Sequence, residues 1–389
     1  MLRTDRPAVR RPGFTLVELL VVIAIIAILV GLTTAAAQKF RDRGRELQAI
    51  NDLKQMESVL STFRQKYGVL PPCFGGGADG NGNIIGTFRL CTVYPTGVSA
   101  SGGTDDWPEV QFLLKMFPRM SRMDNGLRYG GLGGTVVQST APIHLDPNQI
   151  LVFFLSGGSF TGYTGFATDP TQPFAPPTAT AAARKDGGAL MDFPAGQRVK
   201  PSDYAPKKSG NPSWYQVSPS ATRFQGDKPS QGQDEPWFVD PWGNPYLYLS
   251  TSVGGDYPFN QDYQNAVLPA ALLAALQQPL QIGPWGGNAT FNSSGWKSPP
   301  SPLTAPPYGP TPYYESRTQV PNSNPARYVA KYVNPKTFQI ISMGKDGLMG
   351  RGGLWRSTNA GDYEENRVGG GDDFANFADK RLGSAIQDQ

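Results

Sequence analysis

Histidine is nearly absent from this 389-residue chain: His144 is the only one, and cysteine occurs just twice, at Cys73 and Cys91. Three such side chains cannot complete the usual four-ligand Cys/His zinc site. His144 sits in an apolar patch (Ala141-Pro142-Ile143-His144-Leu145) with no serine or cysteine motif beside it, which reads as a core or surface histidine rather than a general base. Charge is also scarce, at 17% of residues, and the net +4 is uneven. Residues 1–13 hold Arg3, Arg6, Arg10 and Arg11 against Asp5; removing them from 35 basic and 31 acidic residues leaves 31 and 30, or +1. The pI near 8.9 therefore comes mostly from that segment, and no nucleic-acid partner is implied. Apolar runs are few as well. With 46 Gly and 36 Pro, much of the length reads as loop around a modest core.

One apolar run stands out. Gly13 to Ala37 reads GFTLVELLVVIAIIAILVGLTTAAA, with no charge from Leu19 to Leu32 and apolar residues on every helical face. Phe14 to Ala37 is 24 residues, about 36 Å as helix, enough to cross a hydrocarbon core of about 30 Å. Glu18 is the anomaly. A carboxylate left alone in lipid costs at least about 2.5 kcal/mol, so a partner is required of the assembled state.

A basic leader, Gly13, then Phe14-Thr15-Leu16-Val17-Glu18 opening an apolar helix closely resembles the signal of type IV prepilins and type II secretion pseudopilins. The resemblance implies that a prepilin peptidase cuts between Gly13 and Phe14 and methylates the new Phe14 amine. It also implies that Glu18 meets the Phe14 ammonium of a neighbouring subunit in a fibre, and pairing is what makes a buried carboxylate tolerable. An ordinary signal peptide cut after Ala37 would have an overlong apolar region containing a glutamate. The Arg10-Arg11 pair is followed by a segment too apolar for a twin-arginine signal, and a plain signal anchor explains neither Gly13-Phe14 nor Glu18.

Past the apolar run, Phe40, Leu47, Ile50, Leu53, Met56, Leu60, Phe63 and Tyr67 recur at steps of three, four or seven, one face of a helix. No proline interrupts residues 13–70, so both parts form one rod of roughly 80 Å, with Gly44 as a weak point and Gly68 with Pro71-Pro72 as its end. The expected division is a leader (1–13), a transmembrane or fibre-core helix (14–37), an amphipathic half (38–70), and a globular head (71–389) with Gly/Pro-rich insertions near 157–235 and 251–326. Short helices are expected over Glu109–Met120, ending near Pro118, and over the run after Asp146-Pro147. In the insertions only a short strand near Trp214–Val217 and a helix over 267–280 are expected. Strands are expected around Tyr246–Leu249 and Phe338–Ile341, forming a small antiparallel sheet on the Ile50–Tyr67 face. The fold class is α+β.

DPWGNPY (240–246) and SMGKDG (342–347) resemble two stretches of the major pseudopilin of type II secretion. The resemblance covers residues 12–70, 237–250 and 338–377, about a third of the chain. It implies a structural Ca²⁺ held by the main-chain oxygen of Met343 and the carboxylates of Asp346, Asp372 and Asp373, the last two preceding Phe374-Ala375-Asn376-Phe377. Hard oxygens on a Gly-rich loop suit that ion; the alternative is a solvated acidic turn, and 25 residues separate Asp346 from Asp372 where the family has a short loop. Cys73 and Cys91 outside the cytoplasm would form a disulfide, or stand as two buried thiols. The Gly-rich stretch 75–83 has no P-loop lysine after it, and its Asp79–Asn83 part lacks the terminal glutamate of a Ca²⁺ loop.

These features point to a non-enzymatic fibre subunit, and the resemblance implies other pilins, a prepilin peptidase and an inner-membrane assembly platform as partners. It would sit in the bacterial inner membrane with its head in the periplasm and its basic leader in the cytoplasm. Pilus or surface-adhesion use, and a membrane-anchored domain that never polymerises, are the competing classes.

Overall fold

A computed structural model of the chain describes residues 16–72, 88–98, 101–127, 143–145, 147–158, 165–176, 184, 188–199, 236–250, 313–319, 328–334, 336–345, 353–354, 373–378 and 381–382. Its contacts divide into two units, Met1–Gln48 and Ala49–Gln389. Helix α1 (Leu16–Tyr67, 52 residues) runs through the division, about 78 Å at the helical rise. Gly31 and Gly44 do not break it. Gly68, at φ 69°, donates its N–H to Arg64 O and ends it, the left-handed C-cap that glycine supplies without strain.

In the first unit every large apolar side chain from Leu16 to Val30 that is exposed lies between 44% and 77% accessible. Thr33 and Thr34 return their hydroxyls to Leu29 O (2.9 Å) and Val30 O (2.7 Å), which satisfies them without water. Among the described residues, no helix is long and apolar enough to cross a membrane. The fully described apolar run is residues 16–31, about 24 Å of helix; the sequence continues it to Ala37. Phe40 and Leu47, expected on the buried face, are 78% and 56% exposed. The period is right, but nothing in the described chain covers them.

The second unit buries Leu53, Met56, Leu60 and Phe63 of that face, with Ala49 beside them, and half-buries Ile50 and Tyr67. Helix α2 (Pro108–Met116) opens on proline and closes before Pro118, and α3 (Pro147–Ser156) likewise begins at proline. Every residue of α3 is buried. Its Phe154 meets Phe63 of α1 (6.2 Å), Phe88 (5.8 Å) and Phe112 (5.3 Å) edge-on, and the helix packs on the strands Ile143–Leu145, Trp237–Phe238 and Leu247–Ser250. This run, expected as a short helix, is the centre of the core.

The strands are short. β1 (Phe88–Leu90) pairs antiparallel with β2 (Ile143–Leu145), and β3 (Arg198–Val199) with β4 (Trp237–Phe238). β5 (Leu247–Ser250), β8 (Phe338–Ser342) and β10 (Phe374–Ala375) form an antiparallel sheet in the order β10-β8-β5. β6 (Tyr313–Gln319) pairs antiparallel with β7 (Tyr328–Tyr332) and parallel with β9 (Gly353–Leu354).

The long helix and the small antiparallel sheet of an α+β fold are therefore present. Three details differ from expectation. All four residues of β5 are buried, so the Tyr/Leu alternation marks a strand covered on both faces. The first insertion contributes to the core: Phe166, Phe174, Met191 and Phe193 are buried. The second supplies strand β6. The strand expected near Trp214–Val217 and the helix expected over 267–280 lie outside the described residues.

Glycine is required where α3 ends. Gly157 (φ 88°) and Gly165 (φ 83°) occupy the left-handed region. A Cβ on Gly157 would strike the Gly165 backbone, and one on Gly165 the Gly188 backbone. Three chain segments cross there at backbone distance, which is how this part of the insertion reaches the core.

Candidate functional site

Two regions carry the residues singled out from sequence. The first is the start of α1. Gly13 and Phe14 lie outside the described residues; Glu18 lies in the first helical turn, where a carboxylate is favoured by the helix dipole. Around it Leu16, Val17, Leu19, Leu20 and Val21 present their side chains outward. An apolar surface continuous over four turns is far more than a water-facing helix carries, and marks a surface meant for lipid or other helices.

The second is where the two C-terminal motifs meet. In Asp240-Pro241-Trp242-Gly243-Asn244 the chain closes a tight turn: Asp240 N donates to Asn244 O (2.7 Å) and Gly243 N to Asp240 O (2.8 Å), with Gly243 at φ 86°. The Asp240 carboxylate caps it, accepting from Trp242 N (3.0 Å) and Asn244 N (2.8 Å). Its other oxygen accepts from Ser342 Oγ at 2.8 Å, and Asn244 Nδ2 donates to Gly344 O at 2.9 Å. DPWGN and SMG are thus bolted together by two side-chain bonds. Burial pushes the Asp240 carboxyl up to about 6, against the hydrogen bonds from Asn244, Ser342 and Trp242 that lower it.

Of the four expected calcium ligands, Met343 and Asp373 are described and both are buried. Phe374 pairs with Ser342, so Asp373 and Met343 sit at the same end of the β8–β10 ladder. Asp346 and Asp372 lie outside the described residues. Among the described residues no group of three or more His, Cys, Asp or Glu side chains could hold a metal. Asp240 is committed to hydrogen bonds and is not an added ligand. A main-chain carbonyl and a carboxylate are the kinds of oxygen donor that a hard cation takes.

Asn376, in the Phe374–Phe377 stretch, extends the ladder: Ile340 N donates to Asn376 Oδ1 (2.9 Å) and Asn376 N to Ile340 O (3.1 Å). Trp242 stacks on Phe374 with 12° between ring planes. Both ends of the motif pair are held by side chains doing backbone work.

Cys91 is wholly buried, and its thiol is pushed up to about 12, first by burial and then by the nearby Glu109 charge, against Arg89. Cys73 lies outside the described residues. Beside Cys91, Arg89 makes a two-pronged pair with Glu109 (3.0 Å each) and lies 3.5 Å over the Trp107 ring. His144 is on β2 opposite Arg89.

Sequence reading missed one junction. Asp52 of α1 accepts from Gln197 Nε2 (2.7 Å) and Tyr246 OH (3.0 Å) on a single oxygen. Burial raises the Asp52 carboxyl, and the two hydrogen bonds oppose the rise. An aspartate on the flank of an otherwise apolar face was the available signal.

Comparison with known proteins bears on the first region. Residues 10–34 match the family described as the prokaryotic N-terminal methylation motif. The N-terminus therefore carries a prepilin-type signal of the type IV pilin-like kind, which implies processing by a prepilin peptidase and assembly with pilin subunits. Such chains are typically structural rather than enzymatic. The match spans 25 of 389 residues. No curated protein and no solved structure matches the chain.

Proposed function

We propose that this chain is a structural subunit of a type II secretion pseudopilus-like fibre. It would be processed between Gly13 and Phe14, held in the bacterial inner membrane by residues 14–37, and assembled through α1. The observation that carries the reading is the methylation motif lying on a helix whose apolar side chains from Leu16 to Val30 stand exposed. Burying that surface against lipid, and then against neighbouring helices, removes the cost of leaving it in water. In the fibre Glu18 pairs with the Phe14 ammonium of the next subunit. The bolted DPWGN–SMG pair supports the secretion-type assignment, since both stretches resemble the major pseudopilin.

Mass spectrometry of the membrane-fraction protein tests processing, with an N-methylated Phe14 start expected. A start at Gln38 or an intact Met1 would sink the reading. Glu18→Ala should leave the protein in the membrane and abolish its entry into fibres; unchanged entry refutes the pairing. Calcium, held by Met343, Asp346, Asp372 and Asp373, would pin the C-terminal segment, so a chelator should lower the melting temperature. An unchanged value removes the ion. A Cys73–Cys91 disulfide predicts no free thiol in the unreduced, denatured protein.

A second reading, a type IV pilin or surface-displayed adhesion subunit, is favoured by the β7-β6-β9 sheet, which a bare fibre subunit does not need. Deleting the partner secretin separates the two: lost export supports the first, lost adhesion with intact export the second.

A further inference from the structure

The residues that follow the apolar run form a feature the fibre reading leaves unused. Lys39, Arg41, Arg43 and Arg45 occupy alternate positions of α1. At 100° per residue, Lys39 and Arg43 share one side of the helix and Arg41 and Arg45 the opposite side, so the four flank it on two sides. Lys39, Arg41 and Arg43 are exposed and Arg45 is half-buried. Among the described residues Arg43 pairs with Glu46 at 2.9 Å, while Lys39, Arg41 and Arg45 have no ion-pair partner. Phe40, 78% exposed, stands within the same turn.

We infer that this cationic collar binds anionic phospholipid headgroups of the outer leaflet of the inner membrane. The inference rests on the membrane-held state proposed above. Its dimensions follow from the helix. Taking Ala37 as the last apolar residue, Lys39 to Arg45 lie about 3 to 12 Å beyond the hydrocarbon edge. The headgroup layer is about 5–8 Å deep on each side. Helical side chains lean toward the N-terminus, so the longer reach of Arg45 brings its guanidinium group back into that layer, while Arg43 is held by Glu46. Phe40 takes the interfacial place that aromatic rings favour. Guanidinium groups suit phosphate because their donors are fixed in a fork. Two carboxylates, Asp42 and Glu46, share the stretch, leaving it net positive by two.

The test compares the full mature chain with the K39Q/R41Q/R45Q variant, which leaves the Arg43–Glu46 pair intact, after extraction from the membrane in mild detergent. Lipids retained by each are quantified by mass spectrometry. The wild type should retain phosphatidylglycerol over phosphatidylethanolamine beyond their ratio in the bulk membrane. Each lost cation should reduce that preference about fivefold, so the triple variant falls to the bulk ratio. The charge-preserving variant K39R/R41K/R45K should keep the preference. Carbonate extraction of both proteins separates the two layers of the argument: a wild type released from the membrane defeats the membrane-held reading itself. An embedded wild type with no phosphatidylglycerol preference, or a triple variant that keeps it, overturns the collar. Unchanged lipid retention with lost fibre assembly also overturns it and assigns the cations to carboxylates of a neighbouring subunit.

Discussion

Asp240 offers the sharpest test, because its burial makes a signed prediction about pH. Its carboxyl goes from an ordinary 3.8 to about 6 in the folded protein, chiefly through loss of solvation. Between those values the folded chain holds the proton and the unfolded chain has released it. The unfolded state then binds fewer protons, so unfolding free energy falls as pH rises across that window. Below about pH 4 the group costs nothing; above about pH 6 it costs about 3 kcal/mol, two units at about 1.4 kcal/mol each. Asp240→Asn keeps an oxygen to accept from Trp242 N and Asn244 N and turns an amide toward Ser342 Oγ, without the charge. Urea unfolding of the full mature chain in mild detergent and chelator, followed by tryptophan fluorescence, gives both stabilities. The difference, variant minus wild type, should climb by about 3 kcal/mol from pH 4 to pH 7.5. Asp240→Ala removes the acceptor from four donors, Trp242 N, Asn244 N, Asn244 Nδ2 and Ser342 Oγ, and should destabilise at every pH, each orphaned donor costing about 1–3 kcal/mol. A difference for Asp240→Asn that is flat or falls with pH refutes the reasoning.

Other substitutions probe the remaining joints. Tyr246→Phe removes one of two donors on the Asp52 oxygen, a hydrogen bond to a charged group worth about 1.5–3 kcal/mol; a melting temperature within a degree of wild type would refute the junction. Gly165→Ala places a Cβ against the Gly188 backbone at a φ of 83°. A loss of at least about 3 kcal/mol is expected, and wild-type yield and melting temperature would show the crossing to be loose. Gly44→Ala meets nothing within 4 Å and should stabilise the helix by about 1 kcal/mol, read as slower amide exchange over residues 40–48. Faster exchange there would mean the glycine serves a bend.

The N-terminal helix was legible because its signals are local. The prepilin-type motif of residues 10–34 is read from neighbours, the period of Leu53, Met56, Leu60 and Phe63 needs only a helix, and Gly68 ends that helix by its own backbone freedom. Pro147 marks a helix start by an equally local signal, whereas the helix expected from Glu109 begins at Pro108 and ends at Met116. What was not legible depends on distant partners. Nothing in Phe166 or Phe193 says that a Gly/Pro-rich stretch will feed the core; their burial depends on the crossing at Gly157, Gly165 and Gly188. The DPWGN turn could be read, yet not that Asp240 and Asn244 would reach Ser342 and Gly344, about a hundred residues on. Phe40 fits the helical period as well as Leu53 does, and only the fold tells them apart.

Helix α1 is one element of secondary structure with two sources of stability, and the change falls at Gln48. Amides after it belong to the cooperative unit that buries Leu53 and Phe63, so their slowest exchange should follow global unfolding. Amides before it carry apolar side chains that rest on nothing in the described chain, and in water they would open locally. Bilayer or fibre would seal them. The exchange rate of residues 16–48, measured against that of 49–67 in the same molecule, is then an internal gauge of where the subunit resides, with the second half of the helix as its clock.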